Sequence, residues 1–221
     1  IVMVLCAVSC AKKGFDHVAA FEGIVADLAS PEFAGRSLYQ DGELRAANYI
    51  VEKFNEFCTS DFVEKPFFQP FPYPLNTTRG DMFFSVDGKE YKPFEDYVVK
   101  EFSTGADRTM PIVYALEEKF YTPDKFAANI ASLKAENAFV VLDYDKFHTL
   151  PSEGDRYFKY LKDLNIGGVI FKWSKKPNYF KARAFFTTPY PVVCVGPEFP
   201  ADAKEATVKF QNEFIGDYTA N

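Results

Sequence analysis

Apolar residues recur at Val18, Phe21, Val25 and Leu28, at intervals of three, four and three, and this period predicts an amphipathic helix near the amino end. Leu44, Ala47, Val51, Phe54 and Cys58 repeat the pattern over more turns, with Glu43, Arg45, Glu52 and Lys53 mostly off the apolar face. Asp41 is the expected N-cap of this second helix. Between the two, Ser30-Pro31-Glu32 sets a cap residue before a proline suited to a first helical position, and opens the loop Glu32-Phe33-Ala34-Gly35-Arg36-Ser37. From Phe62 to Phe71 a strand pattern is broken by Pro66 and Pro70, which confines it to an edge or an irregular arm. Met82 to Val86 and Tyr91 to Phe94 flank Asp87-Gly88, a strong hairpin signal.

Beyond this point strand and helix patterns alternate. Ile112 to Leu116 reads as a strand, Asp124 to Leu133 as a helix, and Ala138 to Leu142 as a buried strand ended by Asp143-Tyr144-Asp145. Tyr157 to Leu164 follows as an amphipathic helix. Ile166 to Phe171 is a strand whose glycines permit close backbone approach, and Pro191 to Val195 is another. Ala206 to Phe214 alternates loosely, as an edge strand does. The expected fold class is α/β, more strictly mixed α+β, with a helical and proline-rich region followed by a strand-helix unit of about 100 residues.

Composition narrows the function classes. The chain has 221 residues, 25% of them charged and 48% apolar, as a globular protein does. Its formal net charge of -6 argues against a nucleic-acid partner. Ile1 to Ser9 is an apolar run too short to span a bilayer and of the length of a signal-peptide core. Ala7-Val8-Ser9-Cys10 resembles the lipobox of bacterial lipoproteins, which marks residues 1–10 as a signal segment and Cys10 as the acylated residue. The run opens at Ile1 without Met or a basic segment, which implies that residues precede it. Cys58 and Cys194 are left in the body, with two buried free thiols expected rather than a disulfide.

Leu28-Ala29-Ser30-Pro31-Glu32-Phe33-Ala34-Gly35-Arg36, followed by Asp41-Gly42-Glu43-Leu44-Arg45-Ala46-Ala47-Asn48-Tyr49-Ile50, resembles the opening of the exported zinc aminopeptidase family, which includes glutamate carboxypeptidase and the transferrin receptor. Phe67-Phe68-Gln69-Pro70-Phe71 is similar to the proline-broken arm after that family's second helix. Phe139-Val140-Val141-Leu142, Tyr160 to Ile170 and Pro191-Val192-Val193-Cys194-Val195 resemble three segments of the protease-associated domain inserted in many members. The resemblance implies an amino-terminal part of the peptidase domain over 15–100 and a protease-associated insert over 101–216. It further implies a lipid-anchored protein of the bacterial cell envelope, in the periplasm or on the outer membrane. Its full-length form would hold two zinc ions and remove N-terminal residues from peptide substrates.

The family's zinc ligands are a His-x-Asp motif, a bridging Asp, a Glu-Glu pair and a final Asp and His. Here His17 and His148 are the only histidines and neither begins His-x-Asp. No catalytic or metal residue is therefore expected in this segment, and none of the family's is carried over. Asp143 and Asp145 read as solvated strand-end carboxylates rather than cation ligands. Gly35 and Arg36 carry two readings, a loop bordering a catalytic cleft and a tight turn whose arginine meets a helix end. No Gly-x-Ser-x-Gly, phosphate-cradling glycine loop or Cys-x-x-Cys occurs. The alternatives to a peptidase segment are a non-enzymatic protein-binding module of the cell envelope and a pseudopeptidase without metal ligands.

Overall fold

The computed structural model describes residues 16–38, 41–57, 68, 70–178, 183–217 and 219–220. It falls into two compact units, one formed by 1–71 with 220–221 and the other by 72–219. The leader, with Cys6 and Cys10, and Cys58 lie outside the described residues, as does most of the expected strand before Phe71.

In the first unit, α1 (His17–Leu28) is capped by Asp16, whose Oδ1 accepts from the amides of Val18 and Ala19 at 3.1 and 3.0 Å. The 3-10 turn Pro31–Arg36 leads to α2 (Gly42–Phe57). Asp41 does not occupy the cap conformation expected of it. Its φ is 55°, whereas an N-cap is extended, and the Glu43 amide donates instead to the Ser37 carbonyl at 2.9 Å.

In the second unit the strands are β1 (Leu75–Val86), β2 (Lys89–Tyr91), β3 (Tyr97–Val99), β4 (Ala106–Ala115), β5 (Phe139–Asp143), β6 (Gly168–Lys172), β7 (Val192–Val195) and β8 (Glu205–Ile215). They form one eight-stranded sheet in the order β2-β1-β8-β4-β5-β6-β7-β3. β4 to β7 run parallel, and the remaining pairings are antiparallel, so the fold is mixed α+β. The hairpin around Asp87-Gly88 is built into this sheet. Both turn residues take positive φ, 47° and 79°, as a primed turn requires. Asp87 also accepts the Lys204 and Glu205 amides at 3.0 and 2.9 Å, which fastens the turn to the start of β8.

The parallel strands β5, β6 and β7 are apolar over nearly their whole length because both faces are covered. Val140, Leu142, Val169, Phe171, Val192 and Cys194 face one cluster, completed by the short helices α3 (Phe126–Ala131), α4 (Tyr144–Thr149) and α5 (Arg156–Leu161). Phe139, Val141, Ile170, Val193 and Val195 face the other, completed by Phe84, Val208 and Phe210 from the antiparallel strands. The sheet curls to make this second core. β1 and β3 are far apart in strand order, yet the Phe84 and Tyr97 rings lie 5.2 Å apart.

β8 corrects the edge assignment of Ala206 to Phe214. It is a central strand between β1 and β4, and its alternation arises because one face lines the curl while the other meets solvent. β4 is longer than the expected Ile112 to Leu116. Its first half pairs with β8 and its second with β5, and the ladders change partner after Pro111, which has no amide to donate. β3 and α4 had no sequence counterpart.

Two stability outcomes follow. A Cβ on Gly168 would lie 2.4 Å from the Phe139 ring, so Gly168→Ala should lower the urea midpoint by an amount equivalent to about 1–3 kcal/mol. Asp87→Ala, which removes two amide partners from a positive-φ site, should cost about 2 kcal/mol by the same measurement.

Candidate functional site

The loop singled out by the sequence joins the two helices of the first unit. Ala34, Gly35 and Arg36 take φ of 45°, 65° and 56°, which turns the chain back toward α1. Arg36 Nη1 donates to the Leu28 carbonyl at 2.9 Å, at the negative end of α1. Arg45 Nε donates to the Glu32 carbonyl at 2.8 Å, and Tyr49 donates to Asp27 Oδ2 at 2.6 Å. Phe33, the buried residue of the turn, meets the Tyr49 ring edge-on at 5.5 Å. Arg36 thus makes the helix-end contact of its second reading; three of these contacts hold the loop to the helices and the Tyr49–Asp27 bond joins α2 to α1 directly.

A second concentration of polar groups lies under the helical face of the sheet in the other unit. Lys100 is 2% exposed, with its Nζ 4.8 Å from the centre of the Tyr157 ring and 3.3 Å from Glu101 Oε2. The rings of Phe102 and Tyr144 lie at 5.6 and 5.7 Å, which completes an aromatic enclosure for the ammonium. Burial pulls the Lys100 pKa below its ordinary value, while Glu101 opposes the shift.

His148 sits in the last turn of α4 and joins this network. Its Nδ1 donates to the Tyr144 carbonyl at 2.7 Å, because a carbonyl can only accept. Nε2 of the neutral ring then accepts from the Tyr157 hydroxyl at 3.0 Å, and Tyr144 donates to Tyr157 Oη at 3.0 Å. Burial lowers the His148 pKa, and the positive charges of Arg156 and Lys100 add to it against the Tyr144 hydrogen bond and Asp145. Cys194, a buried free thiol, is pushed up to about 12 by burial, which removes it as a nucleophile near neutral pH.

Asp143 and Asp145 are both occupied. Asp143 caps α4 by accepting from the Lys146 amide at 2.9 Å, so the strand end is also a helix start. Asp145 accepts from Trp173 Nε1 and the Ser174 amide, each at 3.1 Å. Burial alone would raise its carboxyl, but the bonds from Ser174 and Trp173, with Lys175, hold it below the ordinary value. His17 is the exposed first residue of α1. The described residues contain no group of three or more His, Cys, Asp or Glu placed to hold a metal ion. With both His148 nitrogens engaged, their donor set does not fit a zinc centre.

The described geometry provides neither an activated nucleophile nor an open metal position. No helix among the described residues is long and apolar enough to cross a membrane.

No protein-family model and no curated protein matches the chain. Solved structures do. An aminopeptidase from Aneurinibacillus sp. strain AM-1 is similar over 93% of this chain and 46% of its own, with a TM-score of 0.58 and 16% identity. A peptidase M28 precursor from Shewanella amazonensis SB2B aligns over 91% of this chain and 52% of its own, with a TM-score of 0.42 and 10% identity. The chain therefore shares its fold with part of an aminopeptidase, and it spans about half the length of these neighbours.

The network around His148 sets a pH dependence. The folded state prefers the neutral ring, so stability is full above the unfolded histidine value of about 6.5 and falls as the pH drops through the lowered folded value. Urea titrations at pH 7.5 and 5 should show this loss in the native chain and a smaller one in His148→Gln.

Proposed function

We propose that the chain is the amino-terminal portion of an exported aminopeptidase that depends on zinc and is anchored to the cell envelope by a lipid on Cys10. The observation that carries this reading is the likeness of 93% of the chain to less than half of an aminopeptidase. The order of the sequence motifs from Leu28 to Val195 supports it independently. On this reading α1, α2 and their turn open the catalytic domain, with Gly35 and Arg36 at the border of its cleft. The protease-associated insert, over 101–216, lies within the sheet unit and influences which peptides reach the catalytic centre. Zinc and catalytic residues come from the remainder of the protein, since the described residues offer no fitting ligand set.

The test is activity of the full-length gene product on an unblocked aminoacyl-p-nitroanilide, with and without 1,10-phenanthroline. Hydrolysis that the chelator abolishes and added zinc restores is expected, with no turnover by residues 1–221 alone. A full-length protein inactive in every metal-replete condition would overturn the assignment.

The first unit supplies a second outcome. Val18 and Phe21 are each 67% exposed, Val25 and Phe54 each 49%, as helices whose covering sheet lies elsewhere would be. Residues 1–221 should therefore enhance the fluorescence of a hydrophobic dye well above a globular control, and the pair Phe21→Ser and Phe54→Ser should reduce that signal. Dye binding at the control level would contradict the proposed missing cover.

A further inference from the structure

In the sheet unit, a hollow of about 340 Å³ opens beside the carboxyl ends of β6 and β7. In open α/β sheets this is where ligands collect, because the loops that follow parallel strands diverge there. Its accessible apolar lining comes from Tyr91 and Pro197, with the buried Phe199 ring 6.3 Å from that of Tyr91. Tyr91 lies on β2, so the curl of the sheet brings its far edge to the hollow. The loop after β7 is fixed by Lys172, whose Nζ donates to the Phe199 carbonyl at 2.7 Å. The hollow is thus walled by three separate segments and has a volume suited to a small ligand.

Charges of both signs surround the apolar lining. Two acids belong to their own turn, since Asp96 accepts from the Lys92 amide at 2.8 Å and Glu95 pairs with Lys92 Nζ at 3.4 Å. Lys89 lies over the Tyr91 ring at 5.5 Å. Lys176 and Glu198 line the same hollow and take part in no hydrogen bond or ion pair among the described residues. One uncommitted cation and one uncommitted anion around an aromatic and proline lining match a short zwitterion with an apolar body.

We propose that this hollow is a binding site for short unblocked peptides of dipeptide size. Glu198 receives the α-ammonium, Lys176 receives the α-carboxylate, and an apolar side chain rests on Tyr91 and Pro197. The site lies wholly within the sheet unit and needs no catalytic group, so it stands or falls separately from the peptidase assignment.

The test is calorimetric titration of the 221-residue chain with alanyl-phenylalanine, its N-acetyl form and its carboxamide. The unblocked dipeptide should bind, and blocking either end should weaken binding by about three- to tenfold, the range for partly exposed charge-assisted contacts. Glu198→Gln should erase the penalty for acetylation and leave that for amidation. Lys176→Gln should do the reverse. This matched pattern is one that a merely structural role could not produce. No binding of the unblocked dipeptide, equal binding of all three forms, or a variant that weakens all three alike would each overturn the proposal.

Discussion

The second unit depends on one strand serving two ladders. β4 gives its first half to the antiparallel partner β8 and its second half to the parallel partner β5, with Pro111 at the changeover. Without that shared strand, the antiparallel hairpin and the parallel core would be separate sheets, each with an uncovered face. With it, the sheet can curl until Phe84 reaches Tyr97, and Phe139, Val141, Ile170 and Val193 become fully buried. Each such side chain contributes about 1.5–3 kcal/mol, so the closure adds a second core to the one under the helices. The curl also carries Tyr91 to the ends of the parallel strands, where the hollow forms.

The opposite face shows how polar groups are accommodated inside an aromatic core. Phe102, Tyr144 and Tyr157 surround Lys100, and Tyr144 and Tyr157 join Phe147 and Phe171 in the adjoining aromatic cluster. A buried ammonium among rings is tolerable because the faces of the rings carry negative charge density and Glu101 supplies a counter-charge. His148 stays neutral in the same surroundings and can therefore accept from Tyr157. The Tyr144, Tyr157 and His148 protons are all engaged in this network, which ties α4 to α5.

Strong local periodicity was readable from residues alone, and long-range pairing was not. The helix periods beginning at Val18 and Leu44, the Asp87-Gly88 turn and the apolar runs of β5, β6 and β7 rest on neighbouring residues, and each formed where its pattern lay. The position of β8 depends on partners over 90 residues away, as in the Thr109–Thr207 contact, so half-burial resembled an edge. β3 has three residues, too short for a period to register, and α4 is obscured by Asp143-Tyr144-Asp145, which reads as a strand end. Asp143 and Asp145 read in the sequence as solvated strand-end carboxylates, and their bonds to Lys146, Trp173 and Ser174 required the fold. The role of His148 was hidden because nothing in its local sequence announces Tyr157 as a partner. Lys100 gave no signal for the same reason.

On the proposed reading, a catalytic sheet supplied by further chain would account both for the likeness to about half of an aminopeptidase and for the exposed apolar faces of α1 and α2. Without that sheet the first unit is two helices joined by a well-bonded turn, with Phe33 and Ala46 as its buried apolar residues among those described. The most direct measurement is the nucleotide sequence of the gene beyond the codon for Asn221. The account predicts a continuation of about 200 residues that begins with a buried strand and carries His-x-Asp, Glu-Glu, Asp and His in that order, a domain-sized addition. A stop codon close to Asn221, or a continuation without those ligands, would contradict it.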